Sequence, residues 1–247
     1  RGTDPDGDGP ARSFGFDSFA TIQAGIDAVA DDGEVIIYDH AGAGYPESLV
    51  INASTWNEKD LRSHRPLSKQ MKLMAASGNA PVINGSGLQA IGLDIQDPFS
   101  KISVEGLEIA HWTAIGIRNT GDLTVVDTKV NGGFSGIVVD GGTANLQQTQ
   151  ITGTVIFGLE IINGGQAEVT RTEIIDNQFI GVMVVEGQAD LTQSRLNRNK
   201  HGLVVTNDGA ATVFDSDLSD NSLIALENAS STQTVNASGN WWGSVDE

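Results

Sequence analysis

Apolar and polar residues alternate in short runs along the second half of the chain, and each run opens on a small residue. The phrase returns seven times, as Gly92-Leu93-Asp94-Ile95, Gly116-Ile117-Arg118-Asn119, Gly136-Ile137-Val138-Val139, Gly158-Leu159-Glu160-Ile161, Gly181-Val182-Met183-Val184, Gly202-Leu203-Val204-Val205 and Ala225-Leu226-Glu227-Asn228. The intervals are 24, 20, 22, 23, 21 and 23 residues. Alternation with a period of two puts successive side chains on opposite faces of a strand. Repeated in the low twenties, it predicts a solenoid, because one coil cannot bury its apolar face until another stacks on it.

Two further columns travel in phase. One ends at Ile109, Val130, Ile151, Ile174, Leu196 and Leu218, with Thr128, Thr149, Thr172, Ser194 and Ser216 two residues earlier in the last five copies. Residues two apart on a strand share a face, so these hydroxyls are expected to point inward and form a ladder. The other is Asn177, Asn199 and Asn221, with Asn240 expected to continue it at a shorter interval. Asn tolerates left-handed backbone and bonds its neighbours in turns, which suits the corner of a coil. Three columns predict about three short strands per coil and a coil rise of roughly 4.8 Å.

Ahead of the coils, Ser18 reads as an N-cap, and Phe19, Ile22, Ile26 and Val29 follow at helical spacing. The predicted helix, within residues 18–32, is placed across the open end of the solenoid as a cap. Val35 to Tyr38 and Leu49 to Ile51 read as the first strands, and residues 53–72 as an inserted basic loop carrying Lys59, Arg62, His64, Arg65, Lys69 and Lys72. Regular coils are expected over 92–240, with Trp241 and Trp242 plugging the last one. Tyr45 and Trp56 are expected to pack rather than to stack on sugars. Residues 18–247 thus form one domain behind an acidic lead-in, 1–17. In that lead-in Asp4, Asp6 and Asp8 alternate with Pro and Gly, as in loops that gather oxygen ligands for calcium, although the position of an EF-hand's bidentate Glu is occupied by Gly15.

On these residues the chain resembles the right-handed parallel β-helix proteins of the pectate lyase superfamily. Phe19-Ala20-Thr21-Ile22-Gln23-Ala24-Gly25-Ile26-Asp27-Ala28-Val29, Gly33-Glu34-Val35-Ile36-Ile37-Tyr38 and Gly44-Tyr45-Pro46-Glu47-Ser48-Leu49 are similar to the front of many such proteins. Gly239-Asn240-Trp241-Trp242-Gly243 resembles a terminal motif of extracellular bacterial β-helix domains. The resemblance implies an all-β, single-stranded right-handed parallel β-helix with an N-terminal capping helix, and an extracellular or cell-surface location. It does not select an activity, because the superfamily includes lyases, hydrolases, epimerases, adhesins and inert structural modules.

Charge narrows the partners. With 32 acidic against 14 basic residues the formal charge is −18, which repels nucleic acid and anionic membranes. No apolar run approaches the roughly 20 residues of a membrane span. Cysteine is absent, which removes disulfide and thiol chemistry. The first residue, Arg1, suggests a piece of a longer or processed protein. His40, His64, His111 and His201 lack metal-ligand spacing.

What remains is the outward row of the recurring strand. Asp94, Asp140 and Glu160 offer carboxylates able to divide acid and base roles over a glycosidic bond, and Arg118 can steady an oxyanion. The resemblance adds that lyases of the superfamily pair acidic calcium ligands with a basic residue that removes a proton, a role only Arg118 fits on that face. Val138, Ile162, Met183, Val185 and Val204 are expected to form an outward apolar stripe suited to a contact or to self-association. Lys59, Arg62 and Arg65 are candidate binding residues for an anionic substrate or an acidic neighbouring module. The expectation is a non-catalytic scaffold, adhesin or glycan-binding surface whose partner is a polysaccharide or a neighbouring module. The alternative is a polysaccharide lyase, hydrolase or epimerase working on the early coils.

Overall fold

The computed structural model describes residues 18–40, 44–52, 69–86 and 89–243. It is a right-handed parallel β-solenoid of about seven turns. A complete coil runs from Lys101–Glu105 through Glu108–Trp112 to Ile115–Asn119, each strand lying in a different sheet. Eight strands, from Gly33–Ile37 to Ala210–Phe214, stack into a first long sheet. Eight more, from Leu49–Ile51 to Ile224–Asn228, make a second, and five, from Val82–Asn84 to Glu173–Ile175, make a short sheet between them.

The register follows the predicted columns. Leu93, Ile117, Ile137, Leu159, Val182, Leu203 and Leu226 are successive partners in the second long sheet. Ile109, Val130, Ile151 and Ile174 pair likewise in the short sheet, and the inward rows of all three sheets fuse into one continuous apolar core. Burial of this core is the main term holding the coils together, since each buried aliphatic side chain contributes about 1.5–3 kcal/mol.

The corners solve the problem of turning a chain whose inner polar groups have no water. Where the first long sheet bends into the short one, Asp127, Gln148, Arg171, Gln193 and Asp215 stack in left-handed backbone, each with φ between 47° and 51°. The hydroxyl that follows bonds back across each corner: Thr172 Oγ1 donates to the Thr170 carbonyl at 3.1 Å, and Ser194 Oγ to the Thr192 carbonyl at 2.8 Å. In the last three copies the hydroxyl oxygen also accepts from the backbone N–H of the coil before: Thr172 from Thr149 at 3.3 Å, Ser194 from Thr172 at 3.2 Å and Ser216 from Ser194 at 3.1 Å. The column closes on Asn240, whose Oδ1 accepts from Ser216 N at 2.9 Å. Asn240 therefore ends the hydroxyl ladder, and does not continue the Asn series as its spacing suggested. The Asn ladder proper is headed by Thr154: Asn177 Oδ1 accepts from Thr154 N, Asn199 Oδ1 from Asn177 N and Asn221 Oδ1 from Asn199 N, at 3.0–3.1 Å.

The N-terminal helix is shorter than predicted, Ile22–Ala28, and its N-cap is Thr21 rather than Ser18. Thr21 Oγ1 accepts from Ala24 N at 3.2 Å, and Glu47 reaches across to take Ile22 N and Gln23 N, both at 3.0 Å. Ile22 and Ile26 enter the core beside the first strands, so the helix covers that end. The strand Gln70–Ala75 begins before the expected end of the basic loop: Lys69 is buried against the Ile26 carbonyl and Lys72 lies 3.9 Å from Glu34. Tyr45 packs as expected, with its hydroxyl donating to the Tyr38 carbonyl at 2.9 Å. Trp241 and Trp242 do not plug the last coil. They are 51% and 47% exposed, because Asn240 has already satisfied the corner, and Leu226, Val235 and Ala237 pack against the core instead.

Candidate functional site

The second long sheet carries the nominated residues on its outer face. Asp94, Arg118, Val138, Glu160, Met183, Val204 and Glu227 are successive partners in register. They form one row, spaced by roughly 4.8 Å per step.

Arg118 is already engaged. Its Nε donates to Asp94 Oδ1 at 2.8 Å and its Nη2 to Asp94 Oδ2 at 3.0 Å, while Gln96 Nε2 donates to the same carboxylate at 2.7 Å. This two-point geometry is the strongest a guanidinium makes with a carboxylate, and it occupies the only cationic side chain of the nominated set. Glu160 stands three steps from Asp94, about 14 Å along the row. Its carboxyl is held above the usual carboxylate range, chiefly by desolvation and further by the charge of Asp140, against a hydrogen bond from Ser135 Oγ at 3.2 Å that pulls it down. Asp140 sits on the diagonal beside Glu160 and accepts from Asn163 Nδ2 at 2.7 Å. The row thus separates into an Asp94–Arg118 pair and an Asp140–Glu160 neighbourhood, not one convergent group.

The expected apolar stripe is present but partly closed. Val138 and Val204 are only 4% and 8% exposed, each standing between longer side chains in the row, Arg118 and Glu160 for the first and Met183 and Glu227 for the second. A largely apolar ridge lies two residues before the last five of the seven recurring small residues, where Phe134, Ile156, Phe179, Lys200 and Leu223 follow one another along the corner. Phe134, Phe179 and Leu223 are exposed, and Lys200 Nζ lies 4.7 Å from the centre of the Phe179 ring. The fixed offset from the repeat was the signal that locates this ridge.

On the outer face of the first long sheet the middle row is polar throughout, whereas the row beside it includes the exposed Ile36 and the half-buried Met74, Val126 and Phe214. Ser103, Thr124, Asn145, Glu168, Asp190 and Thr212 are partners in one row, and a recess of about 290 Å³ at its beginning is lined by Asp32, Lys72, Lys101, Ser103, Asp122 and Thr124. Lys59, Arg62 and Arg65, and the calcium candidates Asp4, Asp6 and Asp8, lie outside the described residues. Among the described residues, no three His, Asp or Glu side chains converge as a metal-binding set, and no helix is long and apolar enough to cross a membrane.

Comparison with known proteins bears on the fold. The model of a family described as right handed beta helix region matches residues 83–241. A crystal structure of pectate lyase Pel9A superposes with a TM-score of 0.58, covering 88% of this chain and 68% of that one at 13% sequence identity. No curated protein matches the chain in sequence.

Proposed function

The chain belongs to the family of right handed beta helix regions, and on that premise we propose that it is a non-catalytic extracellular or cell-surface module, a rigid scaffold whose outer faces bind glycans. One observation carries this reading. Arg118, the only cationic side chain of the candidate set, is locked to Asp94 at 2.8 and 3.0 Å, and the next carboxylate of that row is about 14 Å away. Acid and base that share a glycosidic bond stand about 5–9.5 Å apart, which puts Asp94 out of reach of Glu160 and leaves only Asp140, on the diagonal beside it. The polar ladders of the first long sheet suit hydroxyl-rich ligands, because Thr, Asn and Gln side chains offer both donors and acceptors along the stack. Likeness in fold to a solved pectate lyase supports polysaccharide as the partner class.

A second reading has one observation in its favour. Glu160, raised in pKa beside Asp140, is the kind of carboxyl that serves as a general acid. The two separate in an assay of the purified chain against neutral, uronate and sulfated polysaccharides, with and without calcium. Retention in affinity gels without new reducing ends or unsaturated products is expected. Turnover that disappears in a D94A/R118A/E160A variant establishes the enzyme instead.

A further inference from the structure

At the corner between the first long sheet and the short sheet, the last coils enclose a groove of about 500 Å³, lined among others by Arg171, Glu173, Gln193, Arg195, Asp217 and Trp241. Its floor is one row in register. Glu173 bridges to Arg195, Arg195 to Asp217 and Asp217 to Trp241, so four side chains follow one another at roughly 4.8 Å per step.

The polar members are held in place by each other. Arg195 Nη1 donates to Glu173 Oε1 at 2.7 Å, and its Nε lies 3.8 Å from Asp217 Oδ2. Gln150 Nε2 donates to Glu173 Oε2 at 2.9 Å, and Asn197 Nδ2 to Asp217 Oδ2 at 3.0 Å. Planar carboxylate and guanidinium groups fixed in this way keep unused lone pairs and N–H bonds for a ligand, at low ordering cost. The row ends on an indole that is 51% exposed. A large aromatic face in a polar groove fits a ligand with one apolar face and a polar rim. A pyranose ring has that shape: axial C–H bonds on its face, hydroxyls around its edge.

Charge selects the class of sugar. Two arginines face three carboxylates, Glu173, Asp215 and Asp217. The groove is therefore close to balanced in an otherwise acidic chain, and it offers no excess of positive charge to hold a polyanion.

We infer that this groove binds a neutral oligosaccharide, with Trp241 stacked on one ring and the Glu173, Arg195 and Asp217 row bonding the hydroxyls of the rings beside it. The inference rests on the glycan-binding reading and assigns it a place and a ligand class.

The test is calorimetric and fluorescence titration of the full chain with cellohexaose, xylohexaose and mannohexaose, with hexagalacturonate as the anionic comparator. At least one neutral hexasaccharide is expected to bind and shift the tryptophan emission. Trp241→Ala is expected to weaken binding at least tenfold, and Trp242→Ala, outside the groove, to leave it within twofold. Arg171→Ala, at an exposed corner, is expected to weaken it severalfold, and it decides the matter if circular dichroism finds Trp241→Ala unfolded. Binding that survives both groove variants overturns the assigned place and leaves the glycan-binding reading intact. Preference for hexagalacturonate overturns the ligand class. Failure of all four sugars to bind overturns the inference together with the reading beneath it.

Discussion

Single residues make this repeat workable by satisfying polar groups that the coil must bury. Thr172, Ser194, Asn177 and Asn199 are all nearly solvent-free, and each accepts a backbone N–H from the coil before it and donates to a carbonyl. An unpaired buried amide costs about 1–3 kcal/mol, so the ladders protect stability more than they create it. Glu160 is the opposite case, a carboxyl that burial holds above its ordinary value. Between its unfolded and folded pKa the folded chain binds more protons than the unfolded chain, so its contribution to stability falls as pH rises through that window. Glu160→Gln keeps an acceptor for Ser135 and removes the charge. Its stability relative to the parent chain is expected to be greater at about pH 7 than at about pH 4, read by urea denaturation at both. An equal difference at the two pH values contradicts the assignment.

At the scale of the strand, the recurring glycine has a steric cause. A Cβ on Gly158 would lie 2.6 Å from the carbonyl oxygen of Gly181 in the next coil and 2.6 Å from Ile174 Cγ2. Gly92, Gly116, Gly136, Gly181 and Gly202 meet the same obstacle, at 2.4–2.7 Å from the next carbonyl in the column. The seventh member is Ala225, and no strand lies beyond Ile224–Asn228 in the second long sheet among the described residues. The side chain appears where the obstructing carbonyl stops. Gly158→Ala is expected to cost at least about 2–3 kcal/mol through forced displacement of a packed strand, whereas Ala225→Gly costs under about 1 kcal/mol. Denaturation midpoints that fall equally for the two would mean that the column reflects something other than this contact. The strand pattern was legible in the sequence because a fixed period repeats the same chemistry seven times. The fate of Asn240 and the tryptophans was not, since each occurs once and the corner it joins depends on register. The groove was hidden for the same reason: Glu173, Arg195, Asp217 and Trp241 carry unlike chemistries and meet only when coils stack. At the nominated site the row was readable, but the engagement of Arg118 by Asp94 needed the partner strand.

For the molecule as a whole, shape and charge oppose each other. A stack of parallel coils exposes long continuous faces, and the ridge of Phe134, Phe179 and Leu223 beside the half-closed Val138 and Met183 row is the most apolar of them. Such a ridge favours pairing with another surface of its kind. The net charge of −18 resists that pairing between copies, since two strongly acidic bodies repel at long range. Salt shortens that repulsion, from a reach of about 30 Å at 0.01 M to about 8 Å at 0.15 M, while leaving apolar burial in place. Self-association is therefore expected to strengthen with ionic strength, the reverse of an ion-paired interface. Sedimentation velocity at about 0.01 M and about 0.5 M salt is the check: a mass-averaged coefficient that climbs with protein concentration only in the second buffer fits the apolar ridge. A Phe134→Ser, Phe179→Ser double variant is expected to remain monomeric in both, because both positions are exposed and neither supports the core. If the variant associates as the parent does, the contact lies elsewhere, and Ile224–Asn228, the last strand of its sheet among the described residues, becomes the surface to block.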